Sequence, residues 1–139
     1  MSLLRKVGLV AAVGIAGTAV GAGTTNAAVD LYGALAVSQS SGTVASAINH
    51  NSVGAADKAA VEQCRKSDCR VVVHFANACG AVAQGADHRF GWAWGPTRVE
   101  AERDAVAMLG LSAPPFPDLG SAIPRPARIV RSECTDNAR

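Results

Sequence analysis

One short pattern of residues occurs twice in this chain, and its recurrence constrains the possible fold more than any other feature. Tyr32-Gly-Ala-Leu-Ala returns as Cys79-Gly-Ala-Val-Ala, and both copies are typical of a buried strand. Each copy is followed by a second extended segment, a helix with small residues along one face, and a strand rich in β-branched residues. We therefore expect an α+β fold with two pseudo-repeated ββαβ halves, at about residues 31–75 and 79–134.

The helices and strands of each half have recognisable limits. Ser52 and Thr97 are hydroxyl residues that favour helix starts, and Thr97 with Glu100 forms a capping box. The segment 70–75 is a strand because of its β-branched residues. Simple alternation along this strand predicts one face formed by Val71, Val73 and Phe75, and an opposite face formed by Val72 and His74.

Residues 112–126, between the second helix and the last strand, hold five of the six prolines. Proline removes a backbone donor and favours an extended path, so we expect a loop that lies outside the sheets. We interpret this segment as a surface insertion. The alternative is a docking segment for a receptor of proline-rich motifs.

The amino terminus has the pattern of an export signal. A short basic start at residues 1–6 precedes an apolar run over 7–23 and small residues at 25–28. This order predicts a secretory signal peptide over residues 1–27 and a single mature domain over 28–139. The alternative is an uncleaved membrane anchor, but glycines interrupt the apolar run. We expect a secreted protein, extracellular or in the cell envelope, without stable membrane insertion after cleavage.

The charge of the mature part is balanced. The chain has 13 Lys and Arg against 11 Asp and Glu, and because Arg5 and Lys6 lie in the leader, 11 charges of each sign remain. With only 4% aromatic residues, such a domain lacks both the basic surface and the stacking residues of a nucleic-acid-binding protein. We therefore expect no nucleic-acid partner.

Four cysteines in a small exported domain predict two disulfides, for which three pairings are possible. Cys64 and Cys69 flank a polar turn and can meet locally, which would leave Cys79 to pair with Cys134. We favour this pairing and expect the bonds to clamp the two halves into one disulfide-crosslinked domain. A zinc site is the alternative, but a single Cys-x4-Cys pair fits structural zinc poorly, so we expect no metal.

Several of these features together resemble one known family. They are Tyr-Gly-Ala-Leu-Ala, the helix ending at Cys64, Cys69-Arg-Val-Val-Val, Cys79-Gly-Ala-Val-Ala, Gly-Pro-Thr-Arg at 95–98 with Ala101, and the strand ending at Cys134. Over residues 31–135 the chain resembles the domain of unknown function 4189 family, small exported bacterial proteins that are frequent in actinobacteria. The resemblance implies an exported, disulfide-bonded α+β domain, and it implies no catalytic residue.

The sequence offers few candidates for catalysis. It contains no Gly-x-Ser-x-Gly, no His-Glu-x-x-His and no phosphate-binding loop. Its histidines are His50 in a predicted loop, His74 in a strand and His88 in the polar turn Asp87-His88-Arg89. Paired cysteines would leave no thiolate nucleophile. We expect a protein that acts without catalysis and without a cofactor. The alternative is a small extracellular hydrolase that uses His74 or His88 for proton transfer.

The feature that suggests binding is Trp92-x-Trp94, since residues two apart in a strand point to the same side. If that side covers the core, the indoles are a large hydrophobic contribution to it. If it is open, they form a platform for a sugar, a peptide or a protein. Tyr32 and Phe90 would flank the pair. Our hypothesis is that the protein binds a protein or an envelope component through this strand or through the loop 112–126.

Overall fold

The computed structural model describes residues 28–114 and 123–138. The predicted signal peptide, residues 1–27, lies outside the described residues, and so do residues 115–122 of the proline-rich segment. The first four elements are strands β1 (Tyr32–Val37) and β2 (Val44–His50), helix α1 (Val53–Cys64) and strand β3 (Arg70–Ala76). They are followed by β4 (Cys79–Gln84), β5 (Phe90–Gly95), α2 (Arg98–Leu109), β6 (Leu111–Ser112), β7 (Arg125–Pro126) and β8 (Arg128–Cys134).

The strands form antiparallel sheets, and with the two helices they make an α+β protein, which confirms the predicted class. The first sheet has the order β2-β1-β3 and the second has the order β5-β4-β8. Strands β6 and β7 pair only with each other. The central strand of each three-stranded sheet is therefore the one that begins with the repeated motif.

Both helices begin at side-chain caps. The Ser52 hydroxyl accepts a hydrogen bond from the Ala55 amide at 3.2 Å, and the Thr97 hydroxyl accepts one from the Glu100 amide at 3.3 Å. The predicted capping box is only half formed. The Glu100 carboxylate accepts a hydrogen bond from the Thr97 hydroxyl at 2.8 Å, whereas in a complete box it would accept one from the Thr97 backbone N–H.

Packing is divided into layers by side-chain size. Alanines fill the contact of α1 with the first sheet and of α2 with the second, so each helix lies close to its sheet. The larger side chains face each other between the two sheets. This central layer contains Leu35, Val37, Val73, Phe75, Val82 and Phe90. Because buried apolar area scales with side-chain size, the inter-sheet layer contributes most of the hydrophobic stabilisation.

The glycine of each repeated motif makes room for the same aromatic ring. A Cβ placed on Gly33 would lie 2.5 Å from the ring of Phe75, and a Cβ on Gly80 would overlap the other edge of that ring. Gly33 lies in β1 of the first sheet and Gly80 in β4 of the second. The Phe75 ring therefore fills the space between two strands that have no side chain at these positions.

A bulge in β3 overturns part of the predicted alternation. Leu35 pairs with Val73 but the next residue, Ala36, pairs with Val71, so Val72 is an extra residue in β3. Val71 consequently packs towards α1, whereas Val73 packs between the sheets. The prediction that Val71 shares a face with Val73 and Phe75 is therefore wrong. The prediction that Val72 shares the opposite face with His74 is also wrong, because Val72 packs on the inter-sheet core.

The prediction of two disulfides is confirmed, and they join Cys64 to Cys69 and Cys79 to Cys134. The first closes the turn between α1 and β3. The second joins β4 to its neighbour β8, where the two cysteines are opposite each other in the register. Neither bond connects the two sheets, so the expectation that the disulfides clamp the halves together is wrong.

The two sheets are instead joined by the inter-sheet core and by hydrogen bonds. The Arg131 side chain in β8 donates from Nε to the Ser46 hydroxyl in β2 at 2.8 Å. The Asp136 amide donates to the Asn49 side-chain oxygen at 2.9 Å. The association of the sheets is therefore entirely non-covalent among the described residues, apart from the main chain itself.

The ends of the proline-rich segment are more ordered than predicted. Leu111 pairs with Pro126 and Ser112 with Arg125, which makes β6 and β7 a short antiparallel sheet at the base of the segment. Proline is tolerated here because such a two-residue ladder needs few backbone donors. The prediction of a loop from residue 112 to residue 126 is thus wrong at both ends.

Candidate functional site

A shallow groove runs between the free edges of the two sheets, β3 on one side and β5 on the other. It consists of two adjoining hollows of about 360 and 390 Å³ that share His74 and Trp94. We call it the aromatic groove. It is lined by Tyr32, Val53, Val72, His74, Trp92 and Trp94, with smaller contributions from their neighbours in β3 and β5.

The residues of β5 pass from the core to the surface along one face. Phe90 is only 7% exposed and packs between the sheets, Trp92 is half-buried against the same core, and Trp94 is 60% exposed. The two alternatives for the indole pair thus each apply to one residue, Trp92 covering the core and Trp94 lying open. Phe90 flanks the indole pair on the buried side and does not line the groove, because the two sheets face each other at this position.

Tyr32 lies on the opposite wall of the groove from Trp94. It begins β1, pairs with His50 and Ala76 in the neighbouring strands, and is half-buried against the alanine layer under α1. Of the four predicted binding residues, the structure therefore brings Tyr32, Trp92 and Trp94 to one groove.

His74 lies in the middle of the aromatic groove and faces helix α1. Its Nδ1 is 3.7 Å from Oδ1 of Asp57, with the two side chains 58% and 34% exposed. That Asp57 oxygen is buried and has no hydrogen-bond partner among the described residues. At 3.7 Å the two groups are neighbours without a hydrogen bond between them.

Sequence reasoning missed Asp57. The signal that could have found it is its place in α1 next to Ala56, a residue of the stripe that faces the sheet. The sequence does not show which strand lies beside that edge of the helix. Only the order β2-β1-β3 places His74 there.

Chemistry at the aromatic groove is limited by the residue types that line it. None of the described residues that line it is Ser, Thr, Cys or Lys, so it lacks the commonest nucleophiles and has only His74 and Tyr32 as reactive side chains. The groove can stack flat or apolar groups on Trp94 and form hydrogen bonds through His74, Tyr32 and the indole N–H.

The other two histidines are separate from this groove. His50 is the last residue of β2 and pairs with Tyr32, so its predicted loop position is wrong, because β2 is longer than the sequence indicated. His88 lies in the turn between β4 and β5, with φ of 65°. Its neighbour Asp87 is bound instead by the Arg89 side chain, whose hydrogen bond lowers the pKa of the Asp87 carboxyl.

A second carboxylate with a displaced pKa supports the turn between β1 and β2. Asp68 accepts hydrogen bonds from the Ser38 hydroxyl at 2.6 Å and from the Ser40 amide at 2.9 Å. These bonds, the one from Ser38 first, lower the pKa of Asp68 from 3.8 to about 2. The turn 38–43 is thereby fastened to the loop that the Cys64–Cys69 disulfide closes.

Within residues 28–114 and 123–138, no three His, Cys, Asp or Glu side chains are grouped closely enough to hold a metal ion. All four cysteines are paired in disulfides, which leaves no thiolate as a zinc ligand. In the same part of the chain, no helix has the length and apolar character needed to cross a membrane.

These features define a small, disulfide-bonded α+β domain with an aromatic groove at the edge of its sheets. The chain belongs to the family described as Domain of unknown function (DUF4189), whose model matches residues 32–114. The resemblance drawn from the sequence is thereby confirmed.

Mycobacterial proteins are similar to this chain. Protein Rv1269c of Mycobacterium tuberculosis and Protein Mb1300c of Mycobacterium bovis are each 40% identical to it over 83 residues, which is 60% of this chain. The chain spans 64% of the length of these relatives. The NMR structure of Rv1813c from Mycobacterium tuberculosis is similar in fold, with a TM-score of 0.55 and 25% identity over 96% of this chain and 99% of that one.

Proposed function

We propose that the protein is exported and acts without catalysis, by binding a protein or an envelope component through the aromatic groove. The observation that carries this proposal is the exposure of Trp94, which is 60% accessible beside His74 and Tyr32. Large aromatic side chains that stay open next to polar groups are typical of recognition surfaces. The lack of Ser, Thr, Cys and Lys among the described lining residues supports binding over hydrolysis.

Trp94→Ala tests this proposal. Purified oxidised protein is immobilised and exposed to envelope extract, and the retained component is then purified and its affinity measured directly. Val99→Ala in α2 is the matched control, because Val99 is also an exposed apolar residue but lies outside the groove. We expect Trp94→Ala to weaken binding at least about tenfold and Val99→Ala to leave it unchanged. Equal affinity of the Trp94→Ala variant and the parent would refute the groove as the binding surface.

The proline-rich segment is a second surface through which the same partner could be bound. Its base is held by the pairing of β6 with β7. Replacing residues 115–122 by a Gly/Ser linker of equal length, in the assay above, separates the two surfaces. Loss of binding in this variant, with Trp94→Ala unaffected, would assign the interaction to the segment 112–126.

A small extracellular hydrolase that uses His74 or His88 is the second candidate. The 3.7 Å approach of His74 to Asp57 favours it, whereas no such partner accompanies His88 among the described residues. The test is a panel of ester, peptide and glycoside substrates with the parent protein and the His74→Ala and His88→Ala variants. Turnover that His74→Ala abolishes would replace the binding proposal with this one.

Export is supported by the two disulfides, which persist in oxidising compartments outside the cytoplasm. We propose cleavage after residue 27 and a single domain over residues 28–139. The intact mass of the protein recovered from the culture medium should match that of a chain beginning at Ala28. On reduction, this mass should rise by that of four hydrogens. Full-length chain found only inside the cell would contradict export.

We also propose that the two halves are pseudo-repeats of one ββαβ unit. Three equivalences support this: the helices follow the second strand of each sheet, Gly33 and Gly80 contact the same ring, and β8 has an extra residue, Val130, as β3 has Val72. Superposition of the first sheet on the second should place Gly33 on Gly80 and the two bulges on each other. Failure to align these positions would contradict a repeat.

A further inference from the structure

A second surface cavity lies at the opposite end of the strands from the aromatic groove. It consists of two adjoining hollows of about 370 and 410 Å³ that share Gln84 and Arg128, at the turns that join β1 to β2 and β4 to β5. We call it the basic cleft. The polar and charged residues that line it include Ser40, Ser41, Gln84, His88, Arg125 and Arg128.

The described side chains that line the basic cleft carry a net positive charge. None of the described residues that line it is Asp or Glu. Two carboxylates lie beside it: Asp87 is paired with Arg89, whereas Asp68 is hydrogen-bonded by Ser38 and Ser40 and keeps its charge. No ion pair within the described part of the chain involves Arg125 or Arg128. Since residues 28–139 carry equal numbers of acidic and basic side chains, this concentration of positive charge is local.

The two arginines are held by the fold. Arg128 begins β8, and its Nη2 donates to Oε1 of Gln84 at 3.5 Å, so an uncharged amide orients the guanidinium without neutralising it. Arg125 lies in β7, where its backbone pairs with Ser112. Both residues are exposed, so strand pairing fixes their place beside the cleft while their guanidinium groups stay accessible to a ligand.

We propose that the basic cleft binds the phosphate group of a ligand, with Arg125 and Arg128 as the principal donors. The planar fork of a guanidinium matches two oxygens of an oxyanion, and a phosphate has three strong acceptor oxygens that two arginines can share. Ser40 and Ser41 lie on the same wall, but their hydroxyls are already hydrogen-bonded to those of Ser38 and Thr43, so the two guanidinium groups are the donors of the site. The site does not depend on the aromatic groove, because Arg125 and Arg128 do not line it.

The test is a titration of the purified disulfide-bonded protein with inorganic phosphate in a phosphate-free buffer, followed by amide chemical shifts. The variant Arg125→Gln/Arg128→Gln removes both guanidinium groups. The control Lys58→Gln/Arg103→Gln removes the same charge from exposed positions on α1 and α2, where both residues are paired with acids. Vesicles of phosphatidylglycerol and of phosphatidylcholine, in separate arms, distinguish a lipid headgroup from a soluble phosphate as the source.

We expect phosphate to shift the amides of Gln84, His88 and Arg128, and the cleft variant to bind about tenfold more weakly or worse while the control variant binds as the parent does. Binding to phosphatidylglycerol vesicles that the cleft variant loses would identify the headgroup of an anionic lipid. Phosphate binding without vesicle binding would identify a soluble phosphorylated ligand. No response to inorganic phosphate, or equal weakening in both variants, would overturn the proposal.

Discussion

The ring of Phe75 in β3 occupies the space that a side chain at position 80 in β4 would need. Gly80 therefore serves the contact between the two sheets, and Gly33 serves it from the other edge of the same ring. The repeated Gly-Ala motif is consequently a packing feature: each copy clears one side of a shared aromatic residue.

Substitution of Gly80 by alanine should destabilise the protein. The new methyl group would displace the Phe75 ring in a close-packed layer, and such overpacking lowers the free energy of unfolding by about 1–3 kcal/mol. Urea unfolding measures the change. Gly54→Ala is the control, because nothing lies within 4 Å of a Cβ there and alanine favours the helix α1 by about 0.5–1 kcal/mol. A Gly80→Ala variant as stable as the parent would contradict the packing of Phe75 described above.

Phe90 and Trp94 share a face of β5, but their removal should have different effects on stability. Phe90→Ala leaves a cavity between the sheets and should lower the free energy of unfolding by about 3–5 kcal/mol. Trp94→Ala removes an exposed side chain and should change it by no more than about 0.5 kcal/mol. Thermal or urea unfolding of the two variants distinguishes them. A large loss in the Trp94→Ala variant would show that this indole belongs to the core.

The two disulfides should contribute unequally to stability. Cys79–Cys134 closes a separation of 55 residues and Cys64–Cys69 one of 5, so the chain-entropy model gives about 4 and about 2 kcal/mol. Urea unfolding of the two double Cys→Ser variants measures the difference. Unfolding free energies that fall in the reverse order would contradict a role based on loop closure.

The carboxylate of Asp68 should make stability depend on acid pH. Its folded-state pKa of about 2 lies below the usual 3.8, so the stabilisation is fully present above pH 4 and is lost as the pH falls towards 2. In Asp68→Asn, the melting temperature should be lower at pH 7 and should fall less between pH 4 and pH 2.

The matched control for this prediction is Asp104→Asn, an exposed carboxylate on α2 that accepts only from the neighbouring Arg103. Melting curves at pH 7, 4 and 2 for the parent and both variants complete the comparison. If the melting temperature of Asp68→Asn fell as much between pH 4 and pH 2 as that of the parent, the bonds to Ser38 and Ser40 would not persist in solution.

Much of the element order was predictable because its signals are local. Ser52 and Thr97 cap the helices where the sequence places them, and the turn between Cys64 and Cys69 follows from the polar residues that separate them. The alanines under each helix were also recognisable, since their spacing matches the period of a helix.

The features that were missed depend on which strands are neighbours. The bulge at Val72 exists only through its register with β1, and alternation alone assigned Val71 to the wrong face. Phe90 is buried because the first sheet covers it, and the approach of Asp57 to His74 requires α1 to lie beside β3. Which strands pair and which layers face each other depends on residues far apart in the sequence, so local sequence patterns do not predict these features.

The chain passes from the first sheet to the second through Asn77 and Ala78 alone, and both disulfides lie on one side or the other of that connection. Exchange of halves between two molecules would therefore break neither disulfide. What opposes it is the inter-sheet core and the hydrogen bonds of the connection itself, such as that from the Ala78 amide to the Thr135 hydroxyl.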